Sequence, residues 1–355
     1  MGSDYGVVVS ASHNPARYNG LKVFGSDGVK LGDKKEEELE RKFINNTLFS
    51  AENIGSYSQN YNLVKMYTEY LCSCSKESFQ GLTIVLDGSN GATYKIAPEV
   101  FKKLGAKVIA TNCRGRGQDI NNNCGSLYPE KLSKAVRKYN ADVGFAFDGD
   151  GDRIIACDEE GNVIDGDNII YMLAKHMKRE GNLKDNCVVG TRHTNMGIER
   201  SLKDDGINLL RVDIGDKYVC AKMSELGLSL GGEKSGHIII KDYLMTGDGI
   251  LAGIKIAEMM KSTGMKLSSL NDVELLSQTN LDCVVEDKMR VINSEVLSKV
   301  ITEQEKVLGD EYRIMVRVSG TENKIRIMVE GIDENQTKIS ANKIKKIIEE
   351  INNKI

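Results

Sequence analysis

Three aspartates at alternate positions, Asp148-Gly149-Asp150-Gly151-Asp152, followed at once by Arg153, constrain this chain more than any other stretch. Carboxylates held that close repel one another, which costs stability unless a cation sits between them. The intervening glycines open backbone conformations closed to other residues, so the three side chains can converge in a tight loop. Oxygen-only ligation suits a hard divalent ion, magnesium or calcium, over zinc. A guanidinium fixed beside such an ion is a grip for a phosphate that the metal also touches. The preceding run, Val143-Gly144-Phe145-Ala146-Phe147, is short and apolar, so the acidic loop is expected at the end of a strand.

Two other readings of the stretch compete. In an EF-hand register Asp148, Asp150, Asp152 and Glu159 fall at positions 1, 3, 5 and 12. Arg153 then occupies position 6, where that loop needs Gly, and the run before it is β in character rather than helical. The other alternative is a solvated acidic turn between two strands. A metal-assisted phosphate site accounts for more of the pattern.

The rest of the chain bounds what such a site can serve. At 355 residues it exceeds one ordinary core, so roughly two to four domains are expected. With 40% hydrophobic and 28% charged residues it has the balance of a soluble globular protein. A net charge of −3 argues against a nucleic-acid partner, so an anionic substrate must be drawn by local Arg and Lys. No apolar run reaches a membrane span and no signal peptide is apparent, so neither a membrane partner nor export is expected. The eight cysteines show no CxxC pair or zinc spacing, consistent with reduced thiols and a cytoplasmic location.

Near the start, a strand at 6–9 leads into Ser10-Ala11-Ser12-His13-Asn14-Pro15. Pro15 stands where a first helical residue would be, and polar loops of this kind are where α/β proteins place reactive groups. Ser12 is a candidate nucleophile or phosphate carrier, with His13 and Lys22 to handle protons. Asn19-Gly20 is a turn signal that could fold Lys22 back toward Ser12. An ordinary capped strand-to-helix turn is the simpler alternative. Strand, Asn-bearing loop and helix recur around Asp87 and Asn90 and around Thr191 and Asn195, a spacing that suits repeated α/β domains. Gly231-Gly232-Glu233-Lys234-Ser235-Gly236-His237 is read as extended, so that Glu233, Ser235 and His237 alternate onto one side and face sugar hydroxyls. A glycine-rich hairpin is the competing reading. Residues 277–282 read as a linker to the last unit. There 313–316 is a strand, Arg317-Val318-Ser319-Gly320-Thr321-Glu322-Asn323 a loop, and 324–330 a strand carrying Arg326. Hydroxyls and backbone N–H groups flanked by Arg317 and Arg326 form a phosphate nest, against the alternative of a plain polar hairpin.

Taken together and in order, the segments at 10–15, 148–153, 232–237 and 317–322 resemble the α-D-phosphohexomutase superfamily. Within it, Gly151, the loop from Asp87 to Ala92, and the run Ile120-Asn121, Cys124-Gly125-Ser126 and Pro129-Glu130 are most similar to the bacterial branch acting on glucosamine phosphates. The resemblance implies an α/β fold: three related α/β domains around a central cleft, plus a C-terminal α+β domain like the TATA-box-binding protein. The expected bounds are 1–64, 65–165, 166–276 and 277–355, the first domain lacking its opening half. It implies an intramolecular phosphotransferase that interconverts the 6- and 1-phosphates of glucosamine. Glucose or mannose phosphates, or an inactive sugar-phosphate-binding module, are the alternatives. Ser12 would carry the phosphoryl group, with magnesium on Asp148, Asp150, Asp152 and Ser12. Arg153 would steady the transferring phosphate, while His13 and Lys22 match positions tied to proton transfer and phosphoserine support. Glu233, Ser235 and His237 would bind sugar hydroxyls. Arg317, Ser319, Gly320, Thr321 and Arg326 would bind the phosphate that is not reacting. Glucosamine 1,6-bisphosphate or glucose 1,6-bisphosphate would act as primer, a small sugar phosphate is the expected partner, and a homodimer is left open. Arg114, Arg116, Arg192, His193 and Lys217 depart from the superfamily's pattern and carry no expected role, and Val318 and Asn323 stand where it commonly has proline.

Overall fold

The computed structural model describes residues 2–45, 54–319 and 322–353. Gly320 and Thr321 of the expected phosphate nest therefore lie outside the described residues. By packing, the chain divides into two compact units, 1–194 with 202–272, and 195–201 with 273–355.

The first unit opens with a hairpin of β1 (Tyr5–Val9) and β2 (Leu21–Gly25), paired antiparallel so that Val8 lies opposite Lys22. The serine loop joins these two strands. No helix starts at Pro15, contrary to the sequence expectation: the carbonyls of Ala11 and Pro15 close two successive turns, accepting from Asn14 and Tyr18. Helices α1 (Asp33–Ile44) and α2 (Asn62–Ser73) follow. A sheet of five strands comes next, in the order β4 (Lys107–Thr111), β3 (Thr83–Asp87), β5 (Val143–Phe147), β6 (Ile154–Asp158) and β7 (Val163–Ile164). Its β4, β3 and β5 run parallel, connected through α3 (Thr93–Lys103) and α4 (Pro129–Tyr139), while β6 and β7 return antiparallel. All five residues of β5 are buried, which is why that segment is continuously apolar rather than alternating. Phe101 of α3 bridges Phe79 and Phe145, with ring centroids 6.1 and 5.6 Å apart.

After α5 (Gly166–Arg179), a second sheet has the order β11 (Ile238–Ile240), β10 (Leu230–Gly232), β8 (Cys187–Thr191) and β9 (Asn208–Val212). Helices α6 (Met196–Asp204) and α7 (Asp216–Leu226) link its parallel strands. The mostly buried α8 (Gly249–Thr263) leads to the short α9 (Leu267–Leu270). Strands thus lead into Asn-bearing loops in all three places expected, but helices follow directly only after β3 and β8.

The second unit holds a three-stranded antiparallel sheet in the order β12 (Ser277–Val284), β14 (Lys324–Gly331) and β13 (Tyr312–Val318). Its helices are α10 (Lys288–Ile292), α11 (Glu295–Leu308) and α12 (Glu334–Asn352). Ile325, Ile327 and Val329 of β14 pack against Ala341, Ile344 and Ile348 of α12. The expected linker at 277–282 is the first part of β12. The misreading has a physical source: β12 is an edge strand with mostly polar residues and only Cys283 fully buried, so it lacks the apolar signature of a central strand.

Candidate active site

The acidic loop joins β5 to β6 and is held from three sides. Gly151 (φ 79°) turns the chain where a side chain would press on Thr93. The Gly149 carbonyl accepts from Ala92 N–H at 2.8 Å, and the Gly151 carbonyl from Gly249 N–H at 2.9 Å. Asp148 is fully buried, and its Oδ1 accepts from the backbone N–H groups of Gly151 and Arg153 at 3.1 and 3.3 Å. Burial, reinforced by the neighbouring Asp152 and Asp150 charges, pushes its carboxyl up to about 7, because both effects disfavour the charged form.

The serine loop reaches into this cage. Ser12 Oγ donates to Asp148 Oδ2 at 2.9 Å, and Ser10 Oγ donates to Asp150 Oδ2 at 2.8 Å. Ser12 itself sits at φ 52°, a left-handed conformation uncommon for a residue with a side chain and frequent at functional sites. The β1–β2 hairpin does fold Lys22 back: its Nζ lies 2.6 Å from Asp150 and 3.2 Å from Asp152. Burial favours the neutral amine, but Asp152 and Asp150 outweigh it and keep Lys22 charged above its ordinary range, since an opposite charge at contact favours the ionised form. Arg153 Nη1 donates to His13 Nδ1 at 3.0 Å, and the same ring nitrogen lies 3.3 Å from Ser12 Oγ. Burial, with the Arg153 charge, lowers the His13 ring and favours its neutral form.

The three aspartates each offer one oxygen within 4.8 Å of the others. Asp150 Oδ1 and Asp152 Oδ1 are buried with no hydrogen-bond partner among the described residues. Buried carboxylate oxygens without partners are costly, and an oxygen-only cage is the donor set of a hard divalent cation. The residues present therefore fit magnesium.

Residues 233–237 form a hairpin turn between β10 and β11, not the extended segment expected. Glu233 N–H donates to the His237 carbonyl at 3.0 Å, and Gly236 (φ 92°) turns the chain. The turn is anchored at the start of β6, just past the acidic loop, since Ile154 N–H donates to the Gly236 carbonyl at 3.0 Å. Glu233 and Ser235 still line one cavity of about 430 Å³ with Ser12, Lys22, Asp152, Arg153, Lys234 and His237. Burial raises the Glu233 carboxyl, whose Oε1 accepts from Gly215 N–H at 2.9 Å. His237 also has protein partners of its own. Gly247 N–H donates to its Nε2 at 3.2 Å. A ring nitrogen that accepts leaves the proton on the other one, here Nδ1, which lies 3.7 Å from Asp152 Oδ2. Burial works against an ionised Asp152, but His237, Lys22 and Arg153 outweigh it and hold that carboxyl below the usual carboxylate range.

The cavity also draws in Thr191, His193, Ile214, Gly215 and Asp216, none of which had an expected role. The signal was faint: Thr191 ends a strand and His193 stands just after it, where α/β proteins place ligands. Of the other unusual positions, Arg192 pairs with Asp213 at 3.0 Å and Lys217 lies over the Tyr218 ring. Neither is among the cavity-lining residues.

In the second unit, Arg317 and Arg326 stand directly opposite each other on β13 and β14. Arg317 thus belongs to a strand rather than to the loop expected there. Ser319 is buried just beyond β13, its Oγ 3.4 Å from Glu322 N–H.

Matches to four family domains run along the chain in order. They are described as Phosphoglucomutase/phosphomannomutase alpha/beta/alpha domain I at 1–49, domain II at 65–161, domain III at 165–275, and the C-terminal domain at 281–347. The chain belongs to the phosphoglucomutase/phosphomannomutase family. Several curated relatives that it matches over nearly its whole length are named phosphoglucosamine mutase. The phosphoglucosamine mutase of Fusobacterium nucleatum is 43% identical over 97% of this chain and 78% of its own. A phosphoglucomutase/phosphomannomutase family protein from Burkholderia thailandensis shares the fold, with a TM-score of 0.82 at 23% identity, over 98% of this chain and 76% of its own. So does the Aspergillus fumigatus N-acetylphosphoglucosamine mutase, solved with GlcNAc-6P and magnesium. Its TM-score is 0.76 at 18% identity, over 99% of this chain and 90% of its own.

Proposed function

We propose that this chain interconverts glucosamine 6-phosphate and glucosamine 1-phosphate, with Ser12 as the phosphoryl carrier. Phosphorylated Ser12 meets the free hydroxyl of the sugar phosphate. The hydroxyl oxygen forms a bond to phosphorus as the bond from phosphorus to Ser12 Oγ breaks, giving the 1,6-bisphosphate. That intermediate turns over and returns its other phosphate to Ser12. Glucosamine 1,6-bisphosphate or glucose 1,6-bisphosphate primes the cycle. Positioning and charge neutralisation dominate such transfers.

Asp148, Asp150, Asp152 and an oxygen of the phosphate on Ser12 would hold magnesium, which supplies positive charge against the charge on the phosphoryl oxygens. Arg153 adds a second positive group, and Glu233, Ser235 and His237 orient the sugar. Lys22, held as an ammonium by two carboxylates, supports phosphate charge better than it removes a proton. His13, kept neutral, is left to take the proton of the attacking hydroxyl, for which its Nδ1 has to be released from Arg153. Arg317, Ser319, Gly320, Thr321 and Arg326 grip the phosphate that is not reacting.

One observation carries the reading. The Ser12 hydroxyl hydrogen-bonds into the acidic cage, in a chain about two-fifths identical to phosphoglucosamine mutases. The test is a coupled mutase assay on the 6-phosphates of glucosamine, glucose and mannose, beside an intact-mass spectrum. Expected are preference for glucosamine 6-phosphate and a phosphorylated fraction lost in Ser12→Ala. No phosphorylated fraction, and no activity after adding the bisphosphate, would sink it.

A further inference from the structure

We infer that Asn121 is a positioning residue for phosphoryl transfer, clamping the serine loop onto the acidic loop; this rests on the reading of Ser12 as phosphoryl carrier. Asn121 lies between β4 and α4, far in sequence from both loops it joins. It is 6% exposed and sits at φ 55°, with its own N–H tied to the Ser89 carbonyl at 2.9 Å. Its side-chain amide nitrogen donates to the Ser12 carbonyl at 2.7 Å and to the Asn14 carbonyl at 2.9 Å. An NH₂ group has two hydrogens, so both are spent on the serine loop. A side chain at Gly149 would come within 2.5 Å of the Ser12 carbonyl oxygen and 2.6 Å of Asn121 Nδ2. The acidic loop's backbone therefore packs directly on this junction.

Besides the bonds of Ser12 Oγ to Asp148 and of Arg153 to His13, the serine loop has a tie through Ser10, which differs in kind from that of Asn121. Ser10 Oγ accepts from Ser12 N–H and donates to Asp150, so that tie runs through a metal-site carboxylate. Asn121 touches none of the three aspartates among its hydrogen bonds. It acts on the peptide of Ser12, which holds a left-handed conformation that a residue with a side chain does not favour. Release of that carbonyl lets the Ser12 backbone rotate and swings Oγ, while the cation cage stays built. Misplacement of a reacting group by about 1 Å costs about a hundredfold in rate.

Two variants test this in the full-length chain. Asn121→Asp keeps the shape and tolerates φ > 0, but sets a carboxylate against two carbonyls. Asn121→Gly keeps the backbone conformation and deletes the amide. The readouts are kcat, KM, single-turnover transfer from ³²P-labelled Ser12 to glucosamine 6-phosphate, Mn²⁺ affinity by electron paramagnetic resonance, and the melting midpoint. Expected is a fall of about 10- to 100-fold in kcat and in single-turnover transfer, with KM and Mn²⁺ affinity within about threefold of wild type. A kcat within about twofold of wild type in either folded variant overturns the proposal. So does a loss matched by weaker Mn²⁺ binding or a rise in KM alone, and so does failure of both variants to fold, which would make Asn121 structural. Ser12→Ala in the same assays separates the two readings: activity surviving there removes the carrier role whatever Asn121 does.

Discussion

Ser12 Oγ donates to Asp148 Oδ2 at 2.9 Å, although 136 residues separate them. The contact joins a loop on the β1–β2 hairpin to the end of β5, and neither partner is free to drift. Two backbone N–H groups hold the Asp148 carboxylate from behind, and Asn121 and Ser10 hold the serine. On the proposed mechanism, Asp148→Asn keeps the shape and loses a charge that the transferring phosphoryl group needs balanced. It should cost at least about two orders of magnitude in kcat/KM, on the order of 3 kcal/mol. Steady-state assays at saturating magnesium check this. Chelation should abolish wild-type turnover reversibly, and turnover that persists in excess chelator would contradict the cage's role.

Asp248 gives a pH prediction that does not involve the cage. It N-caps α8, accepts from Leu251 N–H at 2.9 Å and from the Tyr67 hydroxyl, and is 6% exposed. Burial raises its carboxyl above the ordinary value, more than Tyr67 and the cap lower it. A folded-state pKa above the unfolded one means the native chain holds that proton more tightly. This group's contribution is therefore full below the unfolded pKa and is lost as pH rises toward the folded one. Asp248→Asn caps nearly as well and carries no charge. Melting curves taken upward from about pH 4.5, above the ordinary carboxylate range, should show the variant gaining on wild type as pH rises. A gap that stays constant or closes would show that Asp248 is not penalised by burial.

How much of this was legible beforehand depended on whether a feature lived in local spacing or in tertiary contact. The acidic triplet announces itself because glycine-separated carboxylates have few other uses, and the buried run at 143–147 fixes its place at a strand end. Lys22 does come back, as Asn19-Gly20 suggested, but by the pairing of β1 with β2 after turns closed at Ala11 and Pro15, not by a turn at Asn19-Gly20. Residues 277–282 misled because an edge strand bonded on one side tolerates the polar sequence of a linker. Residues 233–237 alternate as an extended strand would, yet Gly236 at φ 92° turns the chain. Asn121 stood out only as part of a run that resembles the bacterial branch; its contacts, two carbonyls more than 100 residues away, were not legible. Nothing in an asparagine-rich stretch reports such a distance.

Gly236 offers a sharper test of that turn. Its φ is strained for any residue with a side chain, and a Cβ there would collide with the Ile154 carbonyl oxygen. The neighbour is backbone at the start of β6, so it cannot move aside cheaply. Gly236→Ala should destabilise the chain by about 2–4 kcal/mol. If it folds, it should raise KM for the sugar phosphate, because Glu233 and Ser235 ride on the same turn. Thermal melting and Michaelis analysis report the two effects; an unchanged melting midpoint would show that the turn relaxes freely.

In the second unit, Arg317 and Arg326 face each other across β13 and β14. Like charges directly opposite in a sheet cost roughly 0.2–1 kcal/mol. Burial and the Arg326 charge both lower the Arg317 guanidinium below its ordinary value. Asp282 Oδ1, 3.9 Å from Arg326 Nε, and Glu322 Oε2, 3.7 Å from Arg326 Nη2, offset this only in part, since all three groups are about half exposed and solvent screens them. Such a pair makes sense if an anion completes it. Arg326→Gln removes the repulsion along with half of the proposed grip. Stability without ligand should therefore be unchanged or slightly higher. KM for glucosamine 6-phosphate should rise by about 10- to 100-fold, the worth of a charged hydrogen bond of about 1.5–3 kcal/mol. Inorganic phosphate should raise the wild-type melting midpoint by more than that of the variant, because only binding to the folded chain shifts the midpoint. Equal shifts in the two proteins would mean that phosphate binds elsewhere, and the arginine pair would then have no part in holding the substrate.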